Sequence, residues 1–170
     1  EAGGHVAWDP VHTSVLTPAV RKAVKIPVLS AGGWCDGKGL VAALALGAGA
    51  IYMGTRFIAT KESDFAQGYK EAVVKGTERD TVVTAGSFGP IRVINNKYAT
   101  NLQAILDSVT GTLQERFENP KTVDAKINVS WADSYKHGKT EKAPVLSGEV
   151  QVLVKDLPTV KELIDKIMKE

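Results

Sequence analysis

Short apolar runs alternate with helix-patterned segments along the first half of the chain, with glycine at most of the junctions. Residues 26–31 (IPVLSA) form a compact, nearly all-apolar run that stops at Gly32-Gly33, the pattern of a strand buried on both faces of a parallel sheet. Residues 38–48 are rich in Ala and Leu and end at Gly47 and Gly49, which predicts a helix with a glycine stop. Residues 50–53 (AIYM) predict a second short strand that ends at Gly54-Thr55. Upstream, Thr17-Pro18 places a capping hydroxyl before a proline at a first helical position, so a short helix is expected from Ala19 to Lys25, stopped by Pro27. Helix, strand and glycine turn, repeated, is the rhythm of βα units.

The pattern then changes. Ser63 is placed to cap a third helix running to Lys75, with Phe65, Tyr69, Ala72 and Val73 at helical spacing and Gly76 just past its end. Residues 81–84 (TVVT) and 91–94 (IRVI) read as strand-like pieces around Gly86-Ser87-Phe88-Gly89-Pro90, and residues 97–109 as an amphipathic helix. The polar stretch 112–145 predicts helical turns and loops anchored by Trp131 and Tyr135. After Gly148, the alternation of Val150, Val152 and Val154 predicts a strand or extended segment, and Leu157-Pro158-Thr159 introduces a last helix with Val160, Leu163, Ile164 and Ile167 along one face. The expected organisation is a βα region over 1–76, a substrate-side subdomain over 77–145, and a segment over 146–170 that packs back on the first.

Composition narrows the function classes. At 170 residues, 44% hydrophobic and 24% charged, the chain can build a real core. A formal charge of +2, evenly spread, gives no nucleic-acid footprint. The single cysteine, Cys35, excludes an internal disulfide framework and a multi-cysteine zinc site. With no apolar run of membrane-span length and no signal-like start, the reading is a soluble, cytoplasmic protein. The chain opens directly on Glu1-Ala2-Gly3-Gly4-His5, with no methionine, which suggests a fragment or a processed chain.

Two successive parallel strands that each end in glycine bring backbone N–H groups to the carboxyl edge of a sheet, where barrels hold cofactor phosphates. Gly32-Gly33 and Gly54-Thr55 match that arrangement, and glycine lets an anion approach the amides. Other chemistry-bearing residues have plainer readings. His12 and His137 are expected at the surface, Cys35 as structural, and Asp36 as the cap of the helix that follows. Arg92 and Lys97 are read as solvated charge, and Trp8, Trp34 and Trp131 as pocket lining or core anchors.

The motifs EAGGH (1–5), PVLSAGG (27–33), DGKGLVAALALGA (36–48) and YMGTRFIATKES (52–63), in this order, resemble the nitronate monooxygenase family, also called 2-nitropropane dioxygenases. FMN-dependent enoyl-acyl-carrier-protein reductases share the pattern. The resemblance implies an α/β fold: the C-terminal part of a (β/α)8 TIM barrel, holding its last two strands, with a smaller mostly helical subdomain. Strands one to six of such a barrel would lie outside this chain. It implies FMN as cofactor, contacted by Gly3, Gly4, Gly32, Gly33, Tyr52, Met53, Gly54 and Thr55, with no metal, and His5 as catalytic histidine. Tyr52 stands where the family usually has Gln. The implied reaction oxidises alkyl nitronates with O2 to a carbonyl compound and nitrite. The alternatives are an FMN-dependent enoyl or NAD(P)H:quinone reductase, or a non-catalytic half-barrel. The implied partners are a small-molecule substrate and either a complementary N-terminal half or a second copy of the chain, without nucleic acid or membrane.

Overall fold

The structure, a computed structural model, describes residues 1–7 and 10–170. Trp8, read above as pocket lining or a core anchor, lies outside the described residues. The chain opens with a short strand β1 (Gly4–His5) and a helix α1 (Thr13–Ala23), followed by β2 (Leu29–Ala31), α2 (Gly37–Ala45) and β3 (Ala50–Tyr52). β2 and β3 pair in parallel, with Ala31 opposite Tyr52, and α2 is the crossover between them. This is the βα unit that the apolar runs predict.

Helix α1 begins earlier than the Thr17-Pro18 signal implies. His12 caps it through its ring, accepting the Ser14 N–H at 3.3 Å, while the Glu1 carboxylate accepts the Thr13 N–H at 2.8 Å. Pro18 therefore sits inside the helix, where it removes one backbone donor without ending the element. Thr17 is buried and its hydroxyl meets Ser30 Oγ at 2.7 Å, holding α1 against β2. Asp36 caps α2 as expected, its carboxylate accepting Gly39 N–H at 2.8 Å.

Within this chain β2 is covered on one face. Ser30 is buried, but Leu29 is 58% exposed, and Tyr52, opposite Ala31 on β3, is 67% exposed. Side chains of a strand alternate between faces, so the helices cover one face of this two-stranded sheet and leave the other open.

After β3 come a single-turn helix α3 (Thr55–Ile58), which the sequence pattern did not announce, and α4 (Gln67–Lys75). Ser63 does not cap α4. Its hydroxyl accepts the Phe65 N–H at 3.4 Å in a local turn, and the helix starts four residues later. The strands β4 (Thr81–Gly86) and β5 (Gly89–Ile94) form an antiparallel hairpin, and β1 adds to its free edge with His5 opposite Ile91. Ala85, Ile91 and Val93 of the hairpin pack on Tyr98, Ala99, Leu102 and Leu106 of α5 (Lys97–Asp107) and on Phe117 of α6 (Leu113–Glu118). α7 (Pro120–Ile127) and α8 (Trp131–Tyr135) complete the polar stretch as helices, with Trp131 packed against this core.

A second core joins Cys35, Ala59, Tyr69 and Val73 to Val145, Val150 and Val154. The valine alternation after Gly148 is thus not a strand: Glu149–Leu153 is a 3-10 turn. Val150 inside the turn and Val154, in extended backbone just past it, are both buried in this core, while Leu153 between them is exposed. The last helix, α9 (Val160–Ile167), carries a Thr159–Glu162 capping box and buries Leu163 and Ile167. It packs on α2 so closely that a methyl group on Gly37 would sit 2.6 Å from Ile167 O.

Candidate functional site

The carboxyl ends of β2 and β3 are neighbours because the strands are parallel and in register, so the turns that follow them, residues 32–34 and 53–55, open side by side. Gly32 and Gly33 both take positive φ, +94° and +82°, which an L side chain rarely adopts. The opening segment packs against this turn. A methyl on Gly32 would lie 3.1 Å from Ala2 Cβ, and one on Gly33 would lie 3.3 Å from Glu1 Cγ.

A fourth segment, remote in sequence, closes the group. Gly148 N–H donates to Thr55 Oγ1 at 2.9 Å, and Glu149 N–H donates to Glu1 O at 3.0 Å. Gly3 is glycine because of this contact, since any Cβ there would fall 2.5 Å from Gly148 N and Ser147 C. Thr55 is buried and its hydroxyl oxygen accepts from Gly148 with one lone pair, which leaves its proton available to an acceptor.

These four segments enclose one cavity of about 380 Å³. His5, Gly3, Gly4, Gly32, Gly33, Tyr52, Met53, Gly54 and Thr55 all line it, so the structure brings together every residue singled out from the sequence as catalytic or cofactor-binding. The sequence reading missed Ile58, Leu146, Gly148 and Val150 as wall residues. Ile58 follows the MGTRF motif directly. The other three come from a segment about ninety residues away, and only the glycine before the valine alternation marked it. Trp34 lines the cavity as one of its two readings allowed, with its indole N–H donating to Ser30 Oγ at 2.9 Å.

No Lys or Arg lines this cavity among the described residues. Its acidic member, Glu1, is committed elsewhere. Burial opposes ionisation of this carboxyl, but hydrogen bonding from Thr13 outweighs that and holds its pKa below the ordinary value. His5 lies on the exposed side of the cavity, in the edge strand, with its ring 6.4 Å from that of Phe88. Cys35 does not belong to the site. It is buried in the second core, and burial pushes its thiol up to about 11, which keeps it protonated at neutral pH.

The remaining charges have local roles. Arg92 bonds Thr81 Oγ1 and Glu149 Oε1, both at 3.0 Å, and Lys97 lies 3.8 Å from Glu141. Arg56 is buried and spans Asp156 Oδ1 at 2.7 Å and the carbonyls of Ala59 and Asp156. Among the described residues, no cluster of His, Cys, Asp and Glu could hold a metal, and no helix is long and apolar enough to cross a membrane.

A parallel βα unit whose strand-end turns share one cavity, with a smaller mostly helical subdomain beside it, is the C-terminal part of a (β/α)8 barrel. The family model for nitronate monooxygenase matches residues 1–170, and the chain belongs to that family. Among solved structures, the chain is similar to a FabK from Thermotoga maritima, with a TM-score of 0.83 and 38% identity over 99% of this chain and 50% of that one. It is also similar to a nitroalkane oxidase from Streptomyces ansochromogenes, with a TM-score of 0.72 and 25% identity over 99% of this chain and 48% of that one. A probable nitronate monooxygenase of Staphylococcus saprophyticus is 36% identical over 77% of this chain and 41% of its own length. A (3aS,4S,5R,7aS)-5-hydroxy-7a-methyl-1-oxo-octahydro-1H-indene-4-carboxyl-CoA dehydrogenase of Rhodococcus jostii is 34% identical over 99% and 56% respectively. The chain thus spans about half the length of these relatives, and the dehydrogenase, the monooxygenase and the nitroalkane oxidase are oxidoreductases by name.

Proposed function

We propose that this chain forms the FMN-holding part of a flavin oxidoreductase that oxidises alkyl nitronates with O2 to a carbonyl compound and nitrite. The observation that carries this is the convergence of His5 with the glycine turns after β2 and β3 on one cavity. The residues fit a cofactor of this kind. Gly54 is open, with nothing within 4 Å of where a Cβ would stand, so a phosphate can approach its backbone. The absence of Lys and Arg from the lining, among the described residues, leaves the anion to backbone amides and the Thr55 hydroxyl. Ile58, Leu146, Val150 and Trp34 supply the apolar walls that exclude water.

Bound FMN would supply the redox chemistry. The chain's own contribution is positional. Gly3 and Gly33 bring the backbone close, Thr55 fixes the Gly148 segment as a wall, and His5 Nδ1 or Nε2 exchanges a proton or hydrogen bond with the nitro or nitronate oxygens.

The 38% identity to FabK supports a second reading, in which the same cavity serves an enoyl or quinone reductase using NAD(P)H. Purified protein titrated with FMN tests the shared part: a yellow protein with quenched flavin fluorescence is expected, and a protein that takes up no flavin refutes both readings. Nitrite release from a nitroalkane or propionate 3-nitronate, against NAD(P)H consumption with an enoyl thioester or quinone, then chooses between them.

A further inference from the structure

Phe88 is the most exposed large apolar side chain among the described residues, at 91%, and it stands beside the imidazole that lines the cavity. Isolated exposed apolar residues are common and need no explanation by themselves. Here the position is built. Ser87 and Phe88 form the two-residue turn between Gly86 and Gly89, which face each other across the hairpin. Gly89 has φ +146°, and a methyl on Gly86 would fall 2.5 Å from Ile91 Cγ2, so both flanks of the turn require glycine.

Below the turn, Ala85, Ile91 and Val93 are fully buried in the first core, which anchors the hairpin. The strand that carries His5 is bonded to the same hairpin, with His5 opposite Ile91 and Val6 N–H donating to Pro90 O at 3.0 Å. The backbones that carry the His5 and Phe88 rings therefore belong to one hydrogen-bonded ribbon, with the rings 6.4 Å apart and inclined at 36°.

We infer that Phe88 is a specificity-determining residue. It receives the apolar substituent of a substrate whose anionic oxygen-bearing head meets His5, so the preferred substrate class is an alkyl- or aryl-substituted anion, not the smallest member of its series. This rests on the role proposed for His5. The ring is exposed in this chain, and covering one face of it with an alkyl chain removes apolar surface from water on both partners.

The probes are straight-chain alkyl carboxylates of increasing length, titrated onto the purified chain with and without FMN and followed by NMR line broadening. A fully buried methylene gives about a fourfold gain in affinity, and one face of a ring gives about twofold per methylene. That twofold slope is expected in the unsubstituted protein, kept in Phe88→Leu and lost in Phe88→Ala, with flavin uptake unchanged in all three. A flat series in the unsubstituted protein, or an equal slope in Phe88→Ala, overturns the inference. His5→Ala should weaken every member of the series by the same factor and leave the slope intact. An intact slope with no weakening in His5→Ala would sink the role of His5 while sparing that of Phe88.

Discussion

The hydroxyl oxygen of Thr55 accepts the backbone N–H of Gly148 at 2.9 Å, a bond between residues 93 positions apart. It joins the turn after β3 to the segment that closes the cavity. Both groups are buried, so the Gly148 amide has no water to turn to when the hydroxyl is removed. Thr55→Val should therefore destabilise the fold by about 1–3 kcal/mol in a urea titration, with Thr55→Ser close to unchanged. Equal midpoints for Val and Thr would show that the bond does not hold the two segments.

Gly54→Ala separates cofactor binding from stability. Gly54 has φ −89°, where any residue sits without strain, and its Cβ would meet nothing within 4 Å. The substitution should shift stability by no more than about 0.5 kcal/mol, as at an ordinary surface position. The added methyl would occupy the space from which a phosphate reaches the backbone, so FMN affinity should fall at least tenfold. Unchanged FMN affinity would place the phosphate elsewhere.

Removing the imidazole should act on turnover alone. His5 is exposed, in an edge strand with its backbone paired to β5, so His5→Ala leaves the fold and the glycine turns intact. Nitronate turnover should fall by a factor of about 10²–10⁴, the usual worth of a positioned acid or base, with the Kd for FMN unchanged. Wild-type turnover in this variant would remove His5 from the chemistry.

Cys35 gives a pH signature. Its thiol is held neutral in the folded state up to about 11, against a usual value near 9. The folded state binds this proton more tightly than the unfolded one, so the stabilisation is complete below pH 9. It is lost progressively as pH rises towards 11, by up to roughly 2–3 kcal/mol. Tyr69 and Tyr98, also pushed up by burial, add a further loss from about pH 10, where the tyrosines of the unfolded chain begin to ionise, and this part is common to both proteins compared. Thermal melts between pH 8 and 11 should show a fall in Tm that is smaller in Cys35→Ala. Iodoacetamide should fail to label native protein at pH 7.5, and rapid labelling would contradict the burial.

The βα unit was legible because each element repeats one local rule: apolar runs stop at glycine, and alanine-rich helices carry a cap such as Asp36. Local rules misled where a competing partner was available. Glu1 and His12 satisfied the first donors of α1 ahead of Pro18, and Ser63 closed a turn in place of capping a helix. The valines after Gly148 obeyed a period of two in sequence, yet only Val150 and Val154 found apolar neighbours in the core.

The sequence alone marked the strand-end turns, because the positive φ of Gly32 and Gly33 restricts residue type at each position independently, and it marked His5 through the EAGGH motif. The tertiary structure alone decided that residues 146–150 form the far wall and that Phe88 stands beside His5. Those relationships depend on the pairing of β1 with β5 and on the Thr55–Gly148 bond, contacts between residues about ninety positions apart that leave no periodicity in the chain.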